Sequence, residues 1–174
     1  MDPFALALVA ELGKKTSVCW LRYAEGYAAP TEHAAWHVWH DDALLLVSGG
    51  DEQPLPGISD AEEVAVTMRS KENGGRLVTW AGAPVRIMPG TEAWAPAAAA
   101  LASARISIPS LSQTPVEWAR SSVITRIEPA SVLEAPGSLP DSSHAAAPRP
   151  TTAITRGALP RILHRRKTRR PGLS

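Results

Sequence analysis

Three histidines stand close together, His33, His37 and His40, in an H-x3-H-x2-H series. On a helix they would share one face, as a metal site requires. Their setting, Trp36-His37-Val38-Trp39, is aromatic and β-branched and favours a strand. On a strand His33 and His37 face one way and His40 the other. The series therefore reads as pocket-wall or hydrogen-bonded core histidine, and no metal site is assigned. A second group, Arg69, Ser70, Lys71, Arg76 and Thr79, gathers guanidinium, ammonium and hydroxyl donors around one turn. Such donors, when they converge, can hold a phosphate, although Glu72 weakens the local field. Six tryptophans make the third group. Trp20, Trp36, Trp39 and Trp80 fall on expected strands, where aromatic rings either stack on a flat heterocycle or fill a core. Neither GxGxxG nor GxxxxGK[ST] occurs, and no nucleophile elbow is present.

These groups need a scaffold, and residues 64–87 supply its clearest piece. Val64, Val66 and Met68 alternate with Ala65, Thr67 and Arg69, the two-residue period of a strand. Asn73-Gly74 accepts positive φ and lets the chain reverse. The return run, residues 76–80 (RLVTW), is again β-branched and aromatic. Gly82 and Pro84 interrupt it, which predicts a bulge or edge and suits a sheet that curls.

The remaining elements follow in chain order. Asp2-Pro3 opens a helix over 3–12, with Phe4, Leu8 and Leu12 on one face and Gly13 at its end. Strands are expected at 16–23, 33–40 and 43–48, the last two joined tightly through Asp41-Asp42. Ser59 and Glu62 have capping-box spacing and predict one helical turn. A helix over 91–105 is capped by Thr91. Thr114-Pro115-Val116-Glu117 starts a short helix through 119, and 122–128 is the last strand. Six strands in hairpin order with two or three small helices indicate a curled antiparallel sheet.

Charge divides the chain. Residues 1–130 hold 10 Lys and Arg against 15 Asp and Glu, a net of −5; residues 131–174 hold 8 against 2, a net of +6. Six of the 16 prolines also lie in those last 44 residues. A folded domain over 1–130 and a disordered tail over 131–174 are expected. Within the tail, residues 161–170 (RILHRRKTRR) could meet phosphate-rich partners, and are the sole hint of nucleic acid. Cys19 is the only cysteine, so an internal disulfide and a cysteine zinc site are excluded; between Val18 and Trp20 it reads as a small buried residue. No apolar run reaches the roughly 18–20 residues that span a bilayer. The N-terminus shows no secretory pattern, and the expected location is cytoplasmic.

Taken together, the helix, a strand with residues 35–39 (AWHVW), the hairpin to 44–48 (LLLVS), the Pro-rich loop, strand 64–69, strand 76–85 and helix 91–105 resemble the pyridoxamine 5′-phosphate oxidase-like, FMN-binding split-barrel superfamily. The similarity spans about residues 5–128 and is nearest to actinobacterial members, whose relatives include deazaflavin-dependent reductases. It implies a mainly β fold, a six-stranded antiparallel split barrel, and a homodimer with a flavin-type cofactor, FMN or a deazaflavin coenzyme, at the subunit interface. In such proteins a Ser or Thr ending the third strand and a Lys or Arg shortly after hold the cofactor phosphate. Ser48 fits the first position, and Gln53 stands where the basic residue is expected. Arg69, Ser70, Lys71 and Arg76 are the candidate compensating donors, with Trp80 and His37 as ring and pocket-wall contacts. The implied activity is hydride transfer between cofactor and a small organic substrate. The flavin is itself the redox group, so no catalytic side chain is needed to sustain the reading. A non-catalytic split barrel that binds another ligand or partner, with no flavin, is the alternative.

Overall fold

The computed structural model describes residues 2–70, 75–105 and 113–135. The chain divides into two compact units, Met1–Pro140 and Asp141–Ser174, and all described residues belong to the first. That unit is mainly β. Helix α1 (Pro3–Lys15) is followed by β1 (Val18–Tyr23), β2 (Thr31–Trp36), β3 (Val38–His40) and β4 (Ala43–Ser48). A 3₁₀ turn (Ile58–Asp60) precedes β5 (Val64–Arg69), β6 (Arg76–Gly82) and β7 (Pro84–Ile87). Helices α2 (Trp94–Ser103) and α3 (Thr114–Ser121) lead to β8 (Val123–Ile127) and β9 (Ser131–Glu134). Two antiparallel sheets result, ordered β2-β1-β5-β6-β9 and β3-β4-β8-β7.

Nine strands among the described residues thus replace the expected six, and no closed barrel forms. Two of the expected strands each divide between the sheets. The run over 76–85 parts at Ala83: β6 pairs with β5, and β7 crosses to β8. Gly82 permits this because a Cβ there would collide with the Glu128 carbonyl. The run over 33–40 parts at His37: β2 joins β1, and β3 joins β4. The ninth strand corrects the expected boundary at 130. Ser131–Glu134 pairs with β6, so the folded body continues past it. Residues 136–174, with the basic stretch 161–170, lie outside the described residues.

The apolar pattern explains two cores. β4 is buried on both faces: Leu44 and Leu46 enter the space between the sheets, while Leu45 and Val47 meet α2 and α3. Cys19, Leu21, Val64, Val66, Met68 and Trp80 complete the first core. Cys19 is fully buried, and burial pushes its thiol pKa up. Ala97, Ala98, Leu101, Trp118 and Ile124 fill the second. The three helices make their main contacts with β3, β4 and β8, all in the second sheet. No helix among the described residues is long and apolar enough to cross a membrane.

Local chemistry accounts for the remaining differences. Asp2 caps α1 by accepting from Ala5 N–H at 3.2 Å, with Pro3 at the first position. The helix does not stop at Gly13 but passes through it, because Gly13 is the seat of the Trp39 ring. Phe4, expected on the buried face, is exposed, and Val9 is buried instead. Asp41 and Asp42 both take positive φ, 49° and 53°, which makes the tight hairpin read from the sequence. The Ser59–Glu62 capping box does not form. Gly57 precedes the 3₁₀ turn, and the Ser59 hydroxyl turns to Thr125 Oγ1 at 3.2 Å. Thr91 likewise donates back to the Met88 carbonyl at 2.8 Å, and α2 begins at Trp94. Thr114 is the first residue of α3, and its box cap is absent.

Gly13→Ala is expected to destabilise the protein by about 1–3 kcal/mol, because the added methyl meets the Trp39 Cδ2 at 2.6 Å in a packed core. Urea unfolding checks this; an unchanged midpoint would show that Trp39 relocates freely.

Candidate functional site

Antiparallel pairing carries five strands to one end of the first sheet. Trp36 lies opposite Val18 there, Arg69 lies opposite Arg76, and Thr79 lies opposite Glu134. The face of this sheet turned away from the core bears Val18, Trp20, Trp36, Thr67, Arg69 and Thr79. Val18 is exposed and both tryptophans are half-buried. The Arg69 guanidinium sits 4.2 Å above the Trp20 ring. Its Nε is buried without a hydrogen-bond partner. Arg76 is neutralised by Glu134 at 3.2 Å, which also accepts from Thr79 Oγ1 at 3.0 Å. Ser70 N–H closes the hairpin on the Gly75 carbonyl at 2.8 Å. Lys71 lies outside the described residues.

Next to this edge a cleft of about 360 Å³ is lined by Ser17, Trp36, Glu52, Gln53, Ala104 and Arg105. Its floor is a polar clasp. Gln53 Oε1 accepts from Trp36 N–H at 2.7 Å, and Gln53 Nε2 donates to the Trp36 carbonyl at 2.8 Å and the Val47 carbonyl at 3.2 Å. The amide thus does the work of a missing strand neighbour where β2 leaves its sheet. Glu52 accepts from Trp118 Nε1 at 2.8 Å and pairs with Arg105, whose guanidinium lies 5.9 Å from the Trp36 ring centre. Sequence reasoning missed Glu52, Arg105 and Trp118. They come from a loop, the end of one helix and the middle of another, and no local pattern joins them.

The expected cofactor-binding residues are therefore dispersed. Trp80 is fully buried, with Trp39 edge-on at 6.5 Å, and cannot stack on a ligand. His37 is 2% exposed, which leaves its ring almost no surface for a ligand. Its Nε2 donates to the Gly13 carbonyl at 3.3 Å, and desolvation lowers its pKa to about 4. His33 hydrogen-bonds Thr31 at 2.8 Å and stacks on Tyr23. Among the described residues no group of three metal-ligating side chains occurs. Gln53 spends every polar atom of its side chain on backbone. Ser48 ends β4 with only 6% exposure, beside a small hollow. A flavin-type group needs flat walls and donors for its phosphate. Trp20, Trp36, Ser48 and Arg69 fit those needs; Gln53, Trp80 and His37 do not.

No family model matches the chain. No curated protein matches it either. Solved structures do. The chain is similar to a conserved hypothetical protein from Mycobacterium tuberculosis (13% identity, TM-score 0.58), covering 76% of this chain and 82% of that one. It is similar to the heme storage protein HutZ from Vibrio cholerae (11% identity, TM-score 0.56), covering 72% and 89%. It is also similar to an FAD-binding protein from Mesorhizobium loti (19% identity, TM-score 0.51), covering 74% and 89%. At these identities the likeness is one of fold.

Proposed function

We propose that the outward face of the first sheet binds a flavin or deazaflavin coenzyme, and that this protein acts as an oxidoreductase on a small organic molecule. The observation that carries the reading is the platform on that face: Arg69 stacked on Trp20, with no acid partner among the described residues, beside the half-buried Trp36. The likeness to a protein described as FAD-binding supports it. When bound, such a coenzyme supplies the two-electron chemistry. The chain's own residues do the rest. Trp20 and Trp36 offer apolar surface to a planar ring and keep water from it. Arg69 offers a fixed positive charge to an anionic group, strengthened by its partial burial. We further propose that the active form is a cytoplasmic homodimer, with the face bearing Val18, Trp20 and Trp36 as its self-complementary surface. Exposed Val18 beside half-buried Trp20 gives this face an apolar surface, which favours such a contact. The folded body followed by a tail over 136–174 completes the proposed organisation.

The test is a titration of the purified protein with FMN and with the deazaflavin coenzyme, followed by tryptophan fluorescence. Trp20 and Trp36 should be quenched at micromolar ligand, and Arg69→Gln should weaken binding about tenfold, the loss of one charge-assisted contact. No quenching at high micromolar concentrations of either ligand rejects the reading.

One observation favours a second reading, a non-catalytic binding or interaction protein. Gln53 is saturated by backbone, and the Glu52–Arg105 pair closes one end of the cleft beside it. Sedimentation with retained dimer but no ligand quenching would select this reading.

A further inference from the structure

A chain of hydrogen bonds crosses three strands on the outward face of the first sheet. Thr67 on β5 lies opposite Thr79 on β6, and Thr79 lies opposite Glu134 on β9. Direct partners share a face, so the three side chains meet. Thr67 Oγ1 is 3.1 Å from Thr79 Oγ1, and Thr79 Oγ1 is 3.0 Å from Glu134 Oε2. Arg76 holds the same carboxylate oxygen at 3.2 Å. On its other side Thr67 lies opposite Trp20, whose ring carries the Arg69 guanidinium. Both threonines are 8% exposed, so water competes little for these bonds.

The carboxylate sets the direction of the whole chain. Held by a guanidinium, it accepts and has no proton to give. Thr79 must donate to it, which uses the only hydroxyl proton Thr79 has. Thr79 can then meet Thr67 only as an acceptor, and Thr67 is the donor of that pair. With its own proton spent, the Thr67 oxygen has only a lone pair left to offer. Its side chain makes no other hydrogen bond with a described residue. The sheet thus presents a fixed acceptor beside Trp20. Arg69 follows Thr67 by two residues on the same face, and its guanidinium makes no hydrogen bond with a described residue. An acceptor and a donor therefore stand next to each other on one strand. The ring edge that complements them carries an N–H beside a carbonyl, as a lactam or cyclic imide does. A ring alkylated at that nitrogen leaves the lone pair unmet, which a site of this kind rejects.

We propose that Thr67 is a specificity-determining acceptor of this face, kept in that polarity by Thr79 and Glu134, and that with Arg69 it selects planar heterocycles bearing an N–H/C=O edge. Thr79 and Glu134 are positioning residues. The polarity stands on the hydrogen-bond chain itself; that the ring belongs to a coenzyme rests on the reading above, since flavins and deazaflavins both carry a cyclic imide.

Two ligand pairs test it, with tryptophan fluorescence as the readout and thermal melts to establish that each variant is folded. Uracil is a small cyclic imide, and 1,3-dimethyluracil is the same ring without an N–H. FMN and N3-methyl-FMN repeat the comparison on the coenzyme. The wild type should prefer the N–H member of a pair about tenfold or more. Thr67→Val, close in shape but without the acceptor, should bind both members alike, and Thr67→Ser should keep the preference. Thr79→Val leaves Thr67 its hydroxyl but frees the proton, and should cut the preference severalfold. A merely structural role for Thr79 would instead weaken both members together. A preference seen with either pair and lost in Thr67→Val supports the acceptor. If uracil shows it while FMN does not bind, the acceptor stands and the coenzyme reading falls. If FMN and N3-methyl-FMN bind alike, the acceptor falls and the coenzyme reading stands. If the wild type binds neither uracil nor FMN, both fall. A Thr67→Val protein that keeps the preference also overturns the acceptor.

Discussion

Gln53→Lys should cost about 3 kcal/mol of stability and gain nothing in affinity for a phosphate-bearing ligand. On the pattern of split-barrel proteins, this substitution restores a missing cation. In the structure it removes a clasp. Trp36 N–H, the Trp36 carbonyl and the Val47 carbonyl all lose their side-chain partner. Each is partly buried, and an unsatisfied backbone group of this kind costs about 1–3 kcal/mol. Water reaches part of the cleft and recovers a fraction, which sets the expected total at the lower end of the summed range. A lysine ammonium can donate to one of the carbonyls but cannot accept from Trp36 N–H. Gln53→Met separates the terms, since it keeps the length of the chain and loses all three bonds. Urea unfolding should place both variants well below the wild type. A Gln53→Lys protein as stable as the wild type, with tighter FMN binding, would show that position 53 is a phosphate position after all.

The same residue shows where sequence reasoning stops. Its absence of charge is visible in the chain, but its partner is 17 positions away and is backbone, which no side-chain pattern announces. The hairpin of β5 and β6 was legible because alternation and turn chemistry are local, and so was an interruption at Gly82 to Pro84, though not that the chain changes sheets there. The split at His37 was not, because no glycine or proline marks it and the flanking residues all favour strand. Its cause is tertiary: the His37 N–H is held by the Ser17 carbonyl at 3.0 Å, and its ring by α1. Trp80 could have been placed. It lies opposite Val66, whose inward face was clear from the alternation, so a ring at that register belongs to the core. Arg69 and Arg76 were correctly brought together by the hairpin, yet the acid that neutralises Arg76 lies on β9, in a stretch expected to be disordered. Ser48 ends its strand where the sequence placed it, whereas β7 became visible only as a strand of the second sheet.

His37 gives the other large expected effect, a loss of about 2 kcal/mol of stability between pH 7 and pH 5. The Gly13 carbonyl can only accept, so the His37 proton sits on Nε2. Nδ1 is then a buried lone pair with no partner. Protonating it would place a cation in the core with no acceptor to meet it, and desolvation accordingly holds the pKa at about 4, against 6.5 for the free side chain. The sign follows from proton counts. Above about pH 6.5 neither state binds the proton, and stability is unaffected. Between 6.5 and 4 the unfolded chain binds it and the folded one does not, so stability falls as pH falls. With those two pKa values the loss reaches about 2 kcal/mol at pH 5 and approaches about 3 kcal/mol near pH 4. The window from 7 to 5 isolates the effect, because ordinary carboxylates stay largely ionised there. In His37→Gln the titrating group is gone, while an amide can still donate to Gly13. Its stability should vary less with pH over that range, whatever its absolute value. Parallel pH profiles for the two proteins would mean that His37 accepts a proton in the folded state, and so that water reaches its ring.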